Sequence, residues 1–371
     1  MSHPPPPRST SLPLVGRGAQ INPDNRFHKI HLETDLAHFE GDQEFAESAP
    51  HVATEYFVDD SQSILSENDS PDIPFRYSLN PYRGCAHGCS YCYARPTHEY
   101  LGLSAGLDFE AKIFVKTRAA ELLRAKLSQP SWQSEPIMLS GVTDCYQPAE
   151  QKFRITRSCL EVAQQFRQPI SLVTKNALVT RDIDILSELA SNNLARVAIS
   201  LTSLYQSLTR ILEPRTSSPA ARLRAMRELS QAGIPVTVMT APVIPGLNDS
   251  ELPTLLEAAR QHGATYAGYV LLRLPMSVKV VFLDWLARHL PSHSVKIEGL
   301  IQQTRAGKHN QSQFSQRMRG TGAMAKHLSN TFKVFAHKHQ LQLKTPPLDC
   351  SQFQVPQSTA EPNNQKQLWL F

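Results

Sequence analysis

The sequence predicts an α/β fold in which six parallel strands, joined by helices, can curl into a partial barrel. Three observations carry this prediction. Between residue 76 and about residue 290, short apolar or β-branched runs alternate with amphipathic helical stretches. The alternation occurs six times, which is the pattern of crossover connections in a parallel sheet. Glycines close two of the helical stretches where a helix C-cap belongs.

The elements can be identified in chain order from these patterns. The six predicted strands are FRYSLNPY, PIMLSGV, PISLVTK, ARVAISL, IPVTVMTAPVI and ATYAGYVLL. The helices are clearest in FRITRSCLEVAQQF, ARLRAMRELSQAG and ELPTLLEAARQHG, where apolar residues recur at intervals of three and four, and Gly233 and Gly263 end the last two. In a barrel of this type the active site lies at the carboxyl ends of the strands, so functional side chains are expected in the loops that follow them.

Composition divides the chain into four parts. Residues 1–75 are rich in Pro, Ser and acidic residues and are predicted to be mostly irregular. Residues 76–290 form the predicted barrel, and residues 291–344 form a basic C-terminal extension with a helical run, AKHLSNTFKVFAHKHQ. Residues 345–371 have the composition of a linker and are predicted to be a disordered tail that ends in QLWLF.

Charge is distributed unevenly along the chain. Residues 1–75 contain 4 basic and 13 acidic residues (net −9), whereas residues 76–371 contain 34 basic and 20 acidic residues (net +14). A basic body favours polyanions such as nucleic acid, although lysines and arginines scattered over a solvated surface give the same total. The stretch RAGKHNQSQFSQRMRG is expected either to meet a phosphate backbone or to form a solvated loop, because no acid separates its basic residues, Arg305, Lys308, Arg317 and Arg319.

The composition also argues against a membrane protein and against a secreted protein. At 371 residues with 41% hydrophobic and 19% charged residues, the chain is typical of a folded cytosolic protein. No run of 18 apolar residues occurs, and the first 20 residues lack the apolar block of a signal peptide. A cytoplasmic location without membrane insertion is therefore predicted.

Three of the six cysteines lie within eight residues of each other. Cys85, Cys89 and Cys92 have the spacing CxxxCxxC in NPYRGCAHGCSYCYAR, directly after the first predicted strand. This spacing is unsuited to a disulfide framework and typical of a metal site. Three thiolates without a fourth suit a 4Fe-4S cluster with one iron left open. A structural zinc site normally has four protein ligands, and since His87 can supply the fourth, zinc remains an alternative.

This constellation resembles the radical S-adenosylmethionine (SAM) enzymes, in which such a loop follows the first strand of a partial (β/α)6 TIM-type barrel. The matching features are the CxxxCxxC spacing, the aromatic Tyr91 just before the third cysteine, and the preceding strand. The resemblance implies that the open iron binds the amino and carboxylate groups of SAM. It also implies that an electron from a donor such as flavodoxin or ferredoxin cleaves SAM to a 5′-deoxyadenosyl radical, which abstracts hydrogen from a substrate.

Longer phrases resemble one branch of this superfamily, the spore photoproduct lyase or DNA-repair-photolyase-like branch. They are GVTDCYQPAE, LEPRTSSPAARLRAMREL and APVIPGLND, with the flanks GRGAQINPDNRF and FSQRMRGTG. The resemblance extends to about residue 345 and implies lyase-like or modifying chemistry on DNA or another nucleic acid. A protein or small-molecule substrate, or a non-catalytic iron-sulfur redox sensor associated with nucleic acid, remains open.

The resemblance further implies a SAM pocket at the strand ends. LSGVTD occupies the place of a Gly-Gly-Glu stretch; its Ser and Gly match, but no glutamate follows, and either the Thr or the Asp stands in its place. The hydroxyls of SLTS are expected to reach the ribose, unless they hydrogen-bond their own loops. Lys175 is expected to bind the cofactor carboxylate or a substrate phosphate, or else to pair with Asp182 or Asp184. The candidate cofactor-binding residues are Tyr91, Ser140, Gly141, Thr143, Asp144, Lys175, Ser200 and Thr202.

Cys145 and Tyr146 are the candidate catalytic residues. They follow LSGVTD at a strand end, where the substrate is expected. A thiol there can return a hydrogen atom to a product radical, as a cysteine does in spore photoproduct lyase. The alternative is a small thiol buried in the core.

The last five residues, QLWLF, resemble the short motif with which bacterial proteins bind the replication sliding clamp. Gln367, Leu368, Leu370 and Phe371 match the motif, and Trp369 stands at its tolerant position. The resemblance implies recruitment to DNA through the clamp. The alternative is a tail that folds back onto its own domain.

Overall fold

The computed structural model describes residues 16–23 and 52–357, and a seven-stranded sheet lies at its centre. Three further strands form a smaller sheet beside it. The strands are β1 (Glu55–Val58), β2 (Leu65–Glu67), β3 (Tyr77–Leu79), β4 (Tyr82–Arg83), β5 (Lys112–Val115), β6 (Ile137–Leu139), β7 (Ile170–Thr174), β8 (Ala195–Ser200), β9 (Val236–Val243) and β10 (Tyr266–Leu271).

The helices lie mainly in the connections between parallel strands. They are α1 (Leu107–Ala111), α2 (Ala119–Leu127), α3 (Ala149–Phe153), α4 (Ile155–Phe166), α5 (Ile183–Ser191), α6 (Gln206–Leu212), α7 (Pro219–Gln231), α8 (Leu252–Gln261), α9 (Val278–His289), α10 (Ser294–Gln303) and α11 (Gly322–Lys338). Short 3-10 helices at Arg95–Leu101, Ala177–Asp182 and Asp249–Glu251 complete the connections. No helix in these described ranges is long and apolar enough to cross a bilayer.

The large sheet has the order β10-β9-β8-β7-β6-β3-β2, and every pairing in it except that of β2 with β3 is parallel. The six predicted strands are β3, β6, β7, β8, β9 and β10, so the predicted α/β fold with its parallel sheet is confirmed. The predicted helix ends at Gly233 and Gly263 are also observed, since both residues have a positive φ just after α7 and α8. The carboxyl ends of the six strands share one edge, which we call the site edge.

The core lies between the large sheet and the helices that cover it. Its members include Leu79, Leu139 and Leu172, which are in register on neighbouring strands and are at most 2% exposed. On α4, Cys159, Leu160 and other buried residues form the face toward the sheet. Complete burial of each large aliphatic side chain stabilises the fold by about 1.5–3 kcal/mol, so this layer holds the site edge in place.

Two short strands lie in the N-terminal segment, residues 1–75. The prediction that this segment is mostly irregular stays a prediction, and β1 and β2 are the strands in its described part. β1 pairs in parallel with β5, and β4 pairs antiparallel on the other side of β5. These strands are short and mostly exposed, which leaves little periodicity to read in the sequence.

The expected disordered tail is wrong for residues 345–357. Leu348 is 7% exposed, and the Phe353 ring lies 6.2 Å from the Phe166 ring. The Asp349 amide donates to the Asn193 carbonyl at 3.0 Å, and further hydrogen bonds fix this segment to the body. The segment contains few apolar residues, but Leu348 is buried and Phe353 is partly buried against the core beside α4. The QLWLF motif lies outside the described residues.

The expected phosphate contact by the basic stretch is wrong for Arg305. Its side chain is buried, and its guanidinium donates to the carbonyls of Leu271 and Leu272 at 3.0 and 2.6 Å. Arg317 is engaged as well, because its Nε donates to Asp72 at 2.8 Å. Arg305 therefore binds the backbone at the end of β10, and Arg317 binds the connection between β2 and β3.

Candidate functional site

The three cysteines lie on the loop that follows β4, between the small sheet and the helical turn at Arg95–Leu101. Cys85 and Cys89 are 7% exposed, and Cys92 is half-buried. Gly88 lies between the first two cysteines with φ +67°, and a Cβ there would come within 2.6 Å of Arg17. Glycine is therefore required for the tight path of this loop.

The thiol arrangement fits an iron-sulfur cluster. Within residues 16–23 and 52–357, no three His, Cys, Asp or Glu side chains converge on one point as a single ion requires. A 4Fe-4S cluster takes one thiolate per iron, so its ligands stand apart around a larger object. Cys85, Cys89 and Cys92 supply three thiolates from one glycine-bearing loop, which is the ligand type that such a cluster takes.

A buried ion pair, Arg95 with Glu110, restrains the cysteine loop that carries Cys85, Cys89 and Cys92. The Arg95 guanidinium donates to the Cys89 carbonyl at 3.1 and 2.9 Å and to the Gly106 carbonyl at 2.9 Å. Its charge is balanced by Glu110, whose carboxylate is 3.2 Å away. Neither side chain is more than 2% exposed. A buried charge pair that satisfies this many carbonyls restrains the loop strongly.

The N-terminal segment closes over the same carboxylate. Glu110 accepts hydrogen bonds from the backbone amides of Arg17, Gly18 and Ala19 at 3.0, 3.1 and 3.2 Å. The Arg17 guanidinium also donates to the Glu110 carbonyl and to Thr54. The GRGA stretch, residues 16–19, thus binds the same carboxylate that pairs with Arg95 beneath the cysteine loop.

The loop after β6 also contacts the cysteine loop, through Gln147. Gln147 is fully buried, and its amide group forms two hydrogen bonds to the loop backbone. Its Oε1 accepts from the Ala86 amide at 2.9 Å, and its Nε2 donates to the Gly84 carbonyl at 3.0 Å. A glutamine side chain can bridge a donor and an acceptor in this way, so Gln147 fixes the position of Cys85.

His87 and Asp144 connect these two loops electrostatically. His87 Nδ1 lies 3.4 Å from Asp144 Oδ2, and both side chains are largely buried. Burial opposes the charged form of each group, but the mutual attraction prevails. It raises the pKa of His87 to about 9, with help from Cys85, and lowers the pKa of Asp144 to about 2. The Asp144 carboxylate also accepts from the Thr174 hydroxyl and the Lys175 amide at 2.7 and 2.8 Å.

The LSGVTD stretch forms the turn at the end of β6. Ser140 has φ +75°, and its hydroxyl accepts a hydrogen bond from the Cys145 amide at 2.7 Å. Asn80 accepts from the amides of Val142 and Thr143 at 2.7 and 3.1 Å, which closes the turn against the end of β3. The candidate cofactor residues of this stretch therefore lie in a turn at the site edge.

A second buried network lies beneath Tyr91. The Tyr91 and Thr202 hydroxyls both donate to Glu213, the latter at 2.7 Å, and Arg222 forms an ion pair with the same carboxylate. Arg222 also donates to the Ser200 carbonyl at 3.0 Å. Glu213 is 1% exposed, and its ion pair with Arg222 satisfies the network. The candidate residues Tyr91, Ser200 and Thr202 are thus brought together.

Lys175 faces this network. Its ammonium lies 5.8 Å from the centre of the Tyr91 ring. Burial lowers the pKa of Lys175, but the nearby Cys89 and Glu213 raise it more. The alternative of a surface ion pair is wrong, because Asp182 and Asp184 pair with Arg157 instead.

Cys145 and Tyr146 lie deeper than the other candidates. Both side chains have no exposed surface and belong to the main core. The Tyr146 hydroxyl donates to Asp182 at 3.0 Å, and burial raises the pKa of the Cys145 thiol. This placement favours the core interpretation of the thiol.

Sequence reasoning missed the residues that hold these loops, because no spacing in the sequence shows which side chains will meet in buried pairs. One signal was available for Arg222, which falls on the apolar face of α7 with Ala225, Met226 and Leu229 at the spacing of a buried stripe. A charged residue in such a stripe indicates a buried pair. The missed residues are Arg95, Glu110, Gln147, Glu213 and Arg222.

The fold and the site together define an α/β protein that presents a buried three-thiol loop at the carboxyl edge of a parallel sheet. Residues 79–259 match the family model described as the radical SAM superfamily. The matched segment covers just under half of the chain. The match supports SAM and a 4Fe-4S cluster as the cofactors.

Two relatives of similar sequence are uncharacterized proteins. An uncharacterized protein of Mycobacterium tuberculosis is 40% identical over 221 residues, which cover 59% of this chain and 65% of that relative. An uncharacterized protein of Methanocaldococcus jannaschii is 30% identical over 176 residues, covering 47% of this chain and 63% of the relative. The chain thus spans less than two thirds of either relative.

Solved structures of spore photoproduct lyase have a similar fold. A mutant with bound AdoMet and dinucleoside spore photoproduct superposes with a TM-score of 0.56 at 18% identity, covering 86% of this chain and 87% of that one. The lyase complexed with dinucleoside spore photoproduct gives the same values. At this identity the likeness shows a common fold.

Proposed function

We propose that this chain is a radical SAM enzyme in which Cys85, Cys89 and Cys92 hold a 4Fe-4S cluster and that its substrate is DNA or another nucleic acid. The observation that supports the cluster site most directly is the buried frame around the cysteine loop. Arg95 and Gln147 hydrogen-bond to its backbone, and Glu110 balances the charge of Arg95. A loop held this rigidly presents its thiols without further reorganisation, which favours tight binding of a cluster.

Residues near the cysteine loop would bind SAM or position the side chains that bind it. When bound, the cluster supplies one electron for the reductive cleavage of SAM, the source of the 5′-deoxyadenosyl radical. Lys175 is the cation available for the SAM carboxylate, since its ammonium lies near Tyr91 and has no carboxylate ion pair among the described residues. Thr202 and Tyr91 use their hydroxyls to bind Glu213, so they position the pocket wall. Ser200 remains the proposed ribose contact.

Asp144 would act as a positioning residue in the turn after β6. Its carboxylate already accepts hydrogen bonds from Tyr146, Thr174 and Lys175 and faces His87. Thr143 donates to the Tyr82 carbonyl at 3.1 Å. These side chains therefore support the pocket through the loop backbone. We leave Cys145 and Tyr146 out of the proposed machinery because both are buried in the core.

A nucleic-acid substrate is supported by charge and by fold. Residues 76–371 carry a net charge of +14, which attracts polyanions. The fold is shared with an enzyme whose structures contain a dinucleoside photoproduct. The reaction would be a lyase-like repair or modification initiated by hydrogen abstraction.

The cluster assignment is tested by iron content. Anaerobically reconstituted protein should bind about four irons per chain, and replacement of any of Cys85, Cys89 or Cys92 by Ala should abolish formation of 5′-deoxyadenosine from SAM. Cys159→Ala is the matched control, since this thiol lies in the core on α4 and should be dispensable for iron binding. Stoichiometric zinc in the wild type, or full iron in the triple variant, would overturn the assignment.

The substrate class is tested separately with SAM labelled at the 5′ position. Reduced enzyme, supplied with electrons by a flavodoxin or chemical donor, is incubated with DNA, RNA or protein. Label should move between SAM and a nucleic acid, or new nucleic-acid products should form. Turnover only with protein would replace the nucleic-acid proposal, and a cluster that neither binds nor cleaves SAM would indicate a redox sensor.

A further inference from the structure

A partly buried arginine stands at the site edge without a carboxylate partner. Arg273 follows β10 by two residues and is half-buried. No ion pair or oxygen acceptor contacts it in the described part of the chain; its one hydrogen bond goes to the Met318 sulfur at 3.5 Å. Its Nε is buried and has no partner. A guanidinium nitrogen removed from water normally has an acceptor, and a bound anion would supply one to this Nε.

The charges around Arg273 strengthen this conclusion. Arg305 and Arg317 are close enough to interact with it electrostatically. The nearby acid, Asp72, is paired with Arg317 at 2.8 Å, and Arg305 is bound by carbonyls. Burial lowers the pKa of Arg273 most, and the charge of Arg317 lowers it further. An incoming anion would relieve this repulsion.

An aromatic ring lies beside this cation. Tyr93 follows Cys92 directly, is 51% exposed, and has its ring centre 5.8 Å from the Arg273 guanidinium carbon. Its hydroxyl donates to the Gly141 carbonyl in the turn after β6. The ring is therefore anchored at its polar end while about half of the side chain remains accessible. Arg273 and Tyr93 link the end of β10 to the cysteine loop.

We propose that Arg273 and Tyr93 form a nucleotide subsite in which the guanidinium binds a substrate phosphate and the Tyr93 ring stacks on an adjacent base. An unpaired guanidinium next to an accessible aromatic face is the arrangement that binds single-stranded or extruded nucleotides. This proposal rests on the proposed nucleic-acid substrate and locates it beside the third cysteine.

The test measures the affinity of reconstituted enzyme for a fluorescent ten-nucleotide oligothymidylate by anisotropy. Arg273→Gln should weaken binding about tenfold or more, because it removes a charged hydrogen bond to phosphate. It should also reduce the slope of log affinity against log salt by about 0.7, the value for one phosphate contact on a single strand. Arg273→Lys should retain part of the affinity, since it keeps the charge but not the planar fork.

Arg227→Gln is the matched control. Arg227 is exposed on α7, so its replacement makes the same charge change on the outer layer. Binding should change by less than about twofold there. A second probe with uncharged methylphosphonate linkages should bind wild type and Arg273→Gln almost equally. Iron content and melting temperature of each variant show whether it is folded.

Several results would overturn the subsite. Arg273→Gln and Arg227→Gln could weaken binding equally, or the loss at Arg273 could persist on the uncharged probe. Wild type that cleaves SAM but binds no oligonucleotide would exclude both the subsite and the nucleic-acid substrate while leaving the radical chemistry intact. Wild-type protein could instead lack a cluster and still bind the probe through Arg273. That result would overturn the proposed radical SAM activity but not the subsite.

Discussion

Glu110 illustrates how one buried carboxylate can organise distant parts of the chain. It accepts hydrogen bonds from three consecutive amides near the N-terminus and pairs with Arg95, which in turn binds the Cys89 carbonyl. The charge is costly to bury alone, and it is stable here because each partner supplies donors. The same side chain therefore determines the position of the N-terminal segment and of the cysteine loop.

We expect Glu110→Gln to lower the free energy of unfolding of the apoprotein by about 3 kcal/mol. The substitution leaves Arg95 buried without a counter-charge, and breaking a buried pair from one side typically costs this much. Urea unfolding measures the loss, and cluster absorbance should decay faster in air than in the wild type. Glu228→Gln, in an exposed pair with Arg224 at 3.7 Å, is the control and should stay within about 0.5 kcal/mol of wild type. Equal stability of the two variants would contradict the role of Glu110.

At the residue scale, a function can be predicted from the sequence when it depends on the spacing of neighbouring residues. Cys85, Cys89 and Cys92 are of this type, because their spacing alone selects a metal site. Arg305 is not, since a basic residue in a polar stretch looks the same whether it meets solvent or four backbone carbonyls. The pairing of Glu110 with Arg95 also cannot be read, because nothing in the sequence shows which loops pack together.

At the element scale, periodicity explains both the success and the failures of prediction. The buried strands of the large sheet stand out as apolar runs, and the longer helices as stripes, so β3 and β6–β10 could be predicted. β1 is exposed at all four positions and carries no such pattern. Residues 345–357 form no helix or strand, and only Leu348 and Phe353 signal that this segment packs against the body.

A chain that stops after Lys344 should therefore be less stable than one that stops after Gln357. Burial of Leu348 and partial burial of Phe353 together contribute roughly 2–4 kcal/mol, and the ordering of the segment offsets part of it. We expect a net loss of about 1–2 kcal/mol in urea unfolding of the shorter chain. The chain ending at Gln357 retains every contact of this segment and is the control. Identical midpoints would mean that the segment contributes nothing to stability.

At the scale of the whole molecule, residues 345–357 and the site edge lie at opposite ends of the strands of the large sheet. Gln354 binds the carbonyl of Phe166 at the end of α4, and Asp349 binds Asn193, just before β8 begins. Both contacts are at the amino ends of the parallel strands. The cysteine loop and Arg273 are at the carboxyl ends. A partner recruited through the C-terminal residues would therefore be held from the side of the molecule opposite the proposed substrate subsite.

The QLWLF motif should bind a bacterial sliding clamp from that side. Only residues 358–366 separate Gln357 from the motif, so a fully extended linker reaches at most about 30 Å. Burial of Leu368, Leu370 and Phe371 supplies roughly 5–8 kcal/mol, and ordering of the peptide removes a few of these, which leaves an affinity around micromolar or weaker. A peptide covering residues 360–371 is titrated with purified clamp, beside one carrying Leu370→Ala and Phe371→Ala. Equal affinities of the two peptides would exclude the clamp. Clamp binding by the peptide but not by the full chain would mean that the motif is occupied by its own fold.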